Sequence, residues 1–337
     1  MPNKRTFYAV KSPGISLLGG TAANDYTAIH GVQTLGIETN FNIERILEIG
    51  QSAIYENKEE LPDVTVNMTK VLDGYPPVYL LATQAAASAD LIGRSAAQCQ
   101  MVMSIYPDTS TSANGTVVRS VQLSGLFVNS VSYTVNVDGN AEEQIALGGN
   151  DKVWGSLDFD FGGSNADSPQ AITGSGGVNR RQHVVFGTLS DTVLPTEVAG
   201  ISSSGTNDAT AGVYGASIQS ISISADLNRE AIRELGRKAP YFRYVNFPVD
   251  VTTQIEIMSK SGDGVNAVAE SDNVTNQTIK LKLLEGTYIN CGTKNKLTSI
   301  TFGGGDTGGG NDTITYTYVN ANEMTVTHPK DPNTGLR

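Results

Sequence analysis

The sequence predicts a mainly β protein, built as two tandem antiparallel β-sandwich or barrel domains, each with a short helix. Three observations lead there. Apolar and polar residues alternate over many short segments, as in half-buried strands. Glycine, 36 of 337 residues, gathers between those segments, where hairpin turns require it. Finally, the chain repeats itself once, at an offset that places one copy in each half.

The repeat is seen by sliding the chain on itself by 186 positions. Over the 31 positions from Val32 to Pro62 no gap is needed, and ten pairs are identical. Gln33, Asn42, Glu44, Glu48, Gly50 and Pro62 meet Gln219, Asn228, Glu230, Glu234, Gly236 and Pro248, with Ile37, Ile46, Ala53 and Tyr55 also matched. Average residue usage would give about two identities by chance, so the pattern reads as an internal duplication. These twelve polar, glycine and proline positions are the repeated-motif and candidate interface residues.

Each copy has one grammar. "VQTLGIET" and "IQSISISA" alternate as strands do. "NIERILEIG" and "LNREAIRELG" follow and fit a short helix, with Asn42 or Asn228 as N-cap and Gly50 or Gly236 as the stop. Strands resume after the prolines. "LFVNSVSYTVNVDGNAEEQIALGG" predicts a hairpin turning at Asp138-Gly139, and "KLTSITFGGGDTGGGNDTITYTYVN" predicts a second with a longer glycine loop. Each half then holds about six strands, paired as hairpins, which favours antiparallel sheets. "QAAASADLIGRSAAQCQ" fits a short helix or packed loop. The expected limits are residues 1–160 for the first domain and 161–179 for a Gly/Ser-rich linker. Residues 180–337 form the second domain, closed by an exposed arm, "HPKDPNTGLR".

Composition narrows function. The chain carries 34 acidic and 23 basic side chains, a net charge of −11, which argues against a protein that grips phosphates. Acidity serves solubility, and it would also suit a surface that DNA must slide past. Cys99 and Cys291 stand alone without zinc spacing and read as buried free thiols. The N-terminal segment has no apolar core of signal-peptide length, and no run of about 18 apolar residues occurs, so maturation in the cytoplasm is expected.

Catalytic signals are weak. "FGGGDTGGGND" lacks the Lys-Ser/Thr and helix of a phosphate loop and the tandem repeats of a calcium solenoid. His30, His183 and His328 lie in no metalloprotease motif and read as loop or surface residues. No GxSxG elbow exists. Glu44/Glu48 and Glu230/Glu234 would share a helical face and are the best acid-base candidates, but neighbouring arginines favour ion pairing. Asn179-Arg180-Arg181 is too short for a nucleic-acid patch, Trp154 suits core or interface packing, and the Asn-X-Thr triplets at Asn114, Asn273 and Asn276 are coincidental without secretion. No catalytic, cofactor-binding or metal-binding residue is assigned, and an enzyme is not expected.

"IQSISISADLNREAIRELGRKAPYFRYVNFPVDVTTQIEI" resembles the core of phage tail tube proteins, and "CGTKNKLTSITFGGGDTGGGNDTITYTY" resembles their later hairpin. The resemblance covers about two thirds of the second half, and the first half departs from it at "ENKEELPDV". It implies a structural virion protein of the duplicated tube-domain type. Such a chain forms rings of three with pseudo-sixfold symmetry, stacked into the hollow tail tube that conducts phage DNA into the host. It further implies self-association, sheath or baseplate and tail-completion proteins as partners, DNA passing without tight binding, no membrane anchor, and assembly in the host cytoplasm. The alternatives are a single-ring baseplate or tail-tip accessory protein and a carbohydrate-active tail-associated β-protein. A glycan hydrolase would lose activity on Glu48→Gln or Glu234→Gln.

Overall fold

The computed structural model describes residues 6, 11–21, 25–107, 116–157, 177–186, 191–199, 201, 217–260, 262–267, 275–304 and 310–331. Most of the expected linker, much of the polar segment "SGDGVNAVAESDNVTNQ" from Ser261, part of the glycine loop after Phe302 and the end of the C-terminal arm lie outside these residues.

The described chain is mainly β and antiparallel. The first half holds β1 (Lys11–Leu17), β2 (Thr27–Ala28), β3 (Val32–Asn40), β4 (Ile43–Leu47), β5 (Ile54–Glu59) and β6 (Asp63–Val71). Helices α1 (Val78–Ala82) and α2 (Leu91–Ser95) come next, then β7 (Cys99–Ile105), β8 (Arg119–Asn136), β9 (Glu142–Gly149) and β10 (Asp151–Gly155). The second half holds β11 (Ile218–Asp226), β12 (Arg229–Ile232), β13 (Phe242–Val245) and β14 (Asp250–Met258). It closes with β15 (Lys280–Lys282), β16 (Tyr288–Asn290), β17 (Lys296–Gly303), β18 (Thr313–Ala321) and β19 (Thr325–Thr327).

One twelve-stranded sheet organises the molecule, and no closed barrel forms among the described residues. Its main wall is β3-β6-β9-β8-β11-β14-β18-β17, all antiparallel. The 18-residue β8 is long enough to serve two layers. Its N-terminal half pairs with β7 and β10, and its C-terminal half sits between β9 and β11. The β8–β11 seam joins the two copies of the repeat without a break.

Alternation decides the faces of this wall. Val64, Val66 and Met68 of β6, Ile145 and Leu147 of β9, and Val131, Tyr133 and Val135 of β8 are buried on one side. Ile221 and Ile223 of β11, Val251, Ile255 and Ile257 of β14, and Ile314, Tyr316 and Tyr318 of β18 continue that side into one core with α1 and the three-stranded sheet β15-β16-β19. The intervening residues, mostly Ser, Thr, Asn and Gln, form the opposite, open face.

Both expected helices after the first repeat strand are instead hairpins. "IERIL" is β4, paired with β5, and "REAI" is β12, paired with β13. Ile43, Ile46 and Leu47 recur at helical spacing, yet nothing packs over them: every residue of β4 and β5 is exposed. Without a buried face, the spacing selects nothing, and pairing satisfies the backbone. The Asp138-Gly139 hairpin (β8–β9) and the β17–β18 hairpin form as expected, and α2 lies within the alanine-rich insert.

The histidines and the C-terminal arm also differ from expectation. His328 and Glu285 have fully buried side chains 2.9 Å apart. His328 Nδ1 accepts from Lys330 N, so Nε2 carries the proton that bonds Glu285. His183 is buried and accepts from Arg180 N at 3.2 Å, while His30 is half-buried and stacks on Tyr75. The start of the arm is packed, because buried Asp331 pairs with buried Arg94 at 3.0 Å. Trp154, half exposed on β10, is not a core residue. Cys99 and Cys291 are free and buried.

Candidate functional site

The residues singled out by the repeat lie at the base and apex of two protruding hairpins and at the start of the strands that carry them. Gln33 Nε2 donates to Gly31 O, and Gln219 Nε2 donates to Ser217 O. Val71 N donates to Gly31 O, and Met258 N to Ser217 O. β3 has a bulge between Val32 and Thr34, and β11 has the same bulge between Ile218 and Ser220. At the hairpin base, Asn42 O accepts from Glu60 N, and Asn228 O accepts from Asn246 N. At the apex, Gln51 N donates to Glu48 O and Arg237 N to Glu234 O. Gly50 and Gly236 sit there at φ of 92° and 86°, angles that glycine adopts freely. Two segments 186 residues apart thus share these backbone bonds, bulges and turn glycines.

Asn42 and Asn228 therefore close hairpins and do not cap helices. Asn42 Nδ2 donates to Leu61 O and to Asp63 Oδ2, and Asp63 also receives Arg243 and Asn150. Pro62 O accepts from Asn150 Nδ2 at 2.7 Å, and Pro248 follows a cis peptide bond. Glu44 and Glu48 are exposed on β4 and its turn, Glu230 stands opposite Tyr244, and Glu234 pairs with Arg237. No shared helical face exists for either carboxylate pair.

Partial burial tends to raise the Asp63 carboxyl, but hydrogen bonds from Asn42, Arg243 and Asn150 outweigh it and hold the group below the usual carboxylate range. A depressed folded value means stability that is present above the unfolded value and lost as pH falls through the folded one. Asp63→Asn is therefore expected to lower the thermal midpoint at pH 6, with the gap to wild type narrowing at about pH 2.5. An unchanged gap would show that the clamp is not ionic.

Two strands of the wall stay open. Among the described residues, β3 pairs only with β6, and β17 pairs only with β18. The repeat shows what each lacks. Strands β3, β6, β9 and β8 correspond in order and register to β11, β14, β18 and β17. Even the second pair of bulges matches, at Val128/Ser130 and Leu297/Ser299. Inside the chain, β8 meets β11, and the core-side residues at that seam are buried. Their equivalents on the open edges are not: Leu227 is 1% exposed and Phe41 68%, and Tyr133 is 1% exposed and Phe302 53%.

The open face of the wall carries the charge. Glu38, Asp63, Glu142, Asp226, Asp250 and Glu256 fall on it by alternation, and Ser220 Oγ donates to Glu256 across it at 3.1 Å. Lys70 lies on the core side against Asp73. Lys296 is the one cation of the eight wall strands on the open face, among the described residues.

Both hairpins leave the same end of the wall. Ile49 and Leu235 at their apices are fully exposed, with Leu47, Tyr55, Ile232 and Tyr241 also exposed. At the opposite end, between β8 and β11, an apolar recess of about 190 Å³ is lined by residues including Val135, Val184, Phe186 and Ile218, with Arg181 at its rim. The repeat marked these two segments in sequence, although their spacing predicted helices where the hairpins stand. The edges, the acidic face and the recess carried no sequence signal, because an open strand alternates as an interior one does.

No protein-family model matches the chain, and no curated protein matches it. Among solved structures, a chain of the anti-feeding prophage (AFP) baseplate, seen by cryo-EM with 6-fold symmetrisation, is similar to 45% of this chain over 97% of its own length. The identity is 11% and the TM-score 0.33, a likeness too loose to assign a fold or a function.

Proposed function

We propose that the chain is a structural, non-catalytic subunit of a phage tail. Three copies close into a ring with pseudo-sixfold symmetry, and rings stack into the hollow tube that conducts DNA. The observation that carries this reading is the pair of open edges, each an unpaired equivalent of a strand already joined at the β8–β11 seam. Open edges of this length are aggregation-prone unless they are met, and a closed ring meets all of them.

The wall contributes eight strands per chain, so three chains supply 24. At about 4.8 Å per strand the circumference is at least roughly 115 Å, a backbone diameter of about 37 Å before strand tilt widens it. That leaves room for a duplex after side chains. The core side of the wall is covered by its own chain, so the acidic, hydroxyl-rich face would line the lumen. Asp63 is ion-paired with Arg243, and the other five carboxylates against one lysine repel phosphates and keep DNA from binding. The hairpins, leaving one end with apolar apices, suit contact with the next ring, whose facing end carries the apolar recess.

Negative-stain imaging of concentrated protein tests the reading: long tubes are expected. Isolated rings would favour the single-ring baseplate or tip part, and dispersed single chains would defeat both. Ile49→Glu with Leu235→Glu is expected to shorten or abolish stacking while rings persist, since both side chains are wholly exposed in the lone chain. Tubes of undiminished length in the variant would remove the hairpins from the stacking contact.

A further inference from the structure

We infer the register of the seam between chains: β17 of one copy pairs antiparallel with β3 of the next, Thr301 opposite Glu38 and Phe302 opposite Ile37. The inference rests on the ring reading above and adds which residues meet.

The derivation transfers one seam onto another. At the internal seam Ser130 faces Asp226, Ser132 faces Ser224, Tyr133 faces Ile223, and Thr134 faces Ser222. Residues of β11 correspond to β3 residues 186 positions earlier, as the shared bulge and hydrogen bonds fix. β6 corresponds to β14 at an offset of 187, which fixes β9 to β18 at 171 and β8 to β17 at 169. The matched bulges at Val128/Ser130 and Leu297/Ser299 confirm the last figure independently. Carried over, Ser299 faces Asn40, Ile300 faces Thr39, Thr301 faces Glu38, Phe302 faces Ile37, and Gly303 faces Gly36.

The faces then agree without adjustment. Phe302 and Ile300 lie on the core side through their partners Ile314 and Tyr316, and Ile37 lies there through Val66. Thr301 lies on the open face opposite Thr315, and Glu38 lies there opposite Thr65. A slip of one residue would put an apolar side chain into the acidic face. The aromatic–aliphatic pair Tyr133–Ile223 of the internal seam is repeated as Phe302–Ile37.

Hydrogen bonding at the internal seam adds one more assignment. Leu227 N donates to Asn129 O, and Val137 N donates to Gln219 O. Odd-numbered β8 residues are therefore the hydrogen-bonded positions and Ser132–Ser224 is a non-hydrogen-bonded pair, the closer kind. Its equivalent is Thr301–Glu38. Such a pair stands at about 4.5 Å between Cα atoms, within reach of a disulfide.

The test is a chain carrying Glu38→Cys and Thr301→Cys, both at exposed edge positions. Cys99 and Cys291 are buried with thiols pushed up to about 12, so they stay protonated and do not compete. Oxidation of assembled protein is expected to give a ladder ending at a three-chain species on a non-reducing gel. The controls Glu38→Cys with Ser299→Cys, and Glu38→Cys with Gly303→Cys, are expected to link at least tenfold less. Rings that link best through a control pair, or through none, overturn the register and leave the ring reading standing. Failure of the unmodified chain to form rings sinks the ring reading itself. A charge exchange guards against a misfolded cysteine variant. Thr301→Glu, placing two carboxylates opposite each other, is expected to block assembly, and adding Glu38→Lys is expected to restore it. Absence of rescue alongside a folded single chain counts against the register.

Discussion

Phe302→Pro is expected to abolish ring closure while leaving a folded single chain. By the seam derived above, Phe302 corresponds to Tyr133, a hydrogen-bonded position, so its N–H points away from β18 toward the sibling chain. Proline there removes no bond of the lone molecule, and edge strands accept proline at such positions. In the ring it deletes one ladder hydrogen bond per seam, sets a ring methylene against the sibling backbone, and removes the Phe302–Ile37 contact. Every ring has three such seams, so the loss is felt three times per closure. Sedimentation should show a single chain at concentrations where wild type is assembled, with an unchanged far-ultraviolet spectrum. Assembly equal to wild type would mean that β17 is not an interface strand.

Glu143→Ala is expected to give the largest loss of stability. The Glu143 side chain is fully buried and accepts from Val78 N at 2.5 Å, Tyr79 N at 3.0 Å and the Tyr133 hydroxyl at 2.9 Å. It anchors the start of α1 to the back of the wall. Burial raises its carboxyl, and the donated bonds from Tyr79 and Val78, with Lys70 nearby, oppose that rise. Alanine leaves three buried donors without an acceptor, at up to about 1–3 kcal/mol each, and partial relaxation of the site brings the expected loss to the low end of their sum, roughly 3–5 kcal/mol. The thermal midpoint should fall by on the order of 10 °C. Glu143→Gln keeps one acceptor and should fall between the two. A midpoint within about 2 °C of wild type would show that water replaces the carboxylate at little cost.

The duplication was legible because strands and turns in both copies keep the same residues at one spacing: Gln33 and Gln219 make the same side-chain bond, Asn42 and Asn228 accept the same backbone bond, and Gly50 and Gly236 take the same turn angle. The β8–β9 hairpin was legible from Asp138-Gly139, a pair suited to a tight turn. The segments β4 and β12 were misread for one physical reason. Helical spacing of isoleucine and leucine has meaning only where a core receives the apolar stripe, and these side chains face outward. The C-terminal arm looked solvated by composition, yet Asp331 finds Arg94 some 237 positions away, a pairing no local pattern encodes. The edges were invisible for the opposite reason: Ile37 and Ile223 are the same residue in the same pattern, and only the fold decides which has a neighbour.

Native mass measurement of the assembled particle addresses ring composition most directly. One ring should weigh about 107 kDa, three times the 35.6 kDa chain, and larger species should be multiples of that unit. Rings of six chains, or a lone chain that persists at high concentration, would contradict the idea that one polypeptide fills two ring positions.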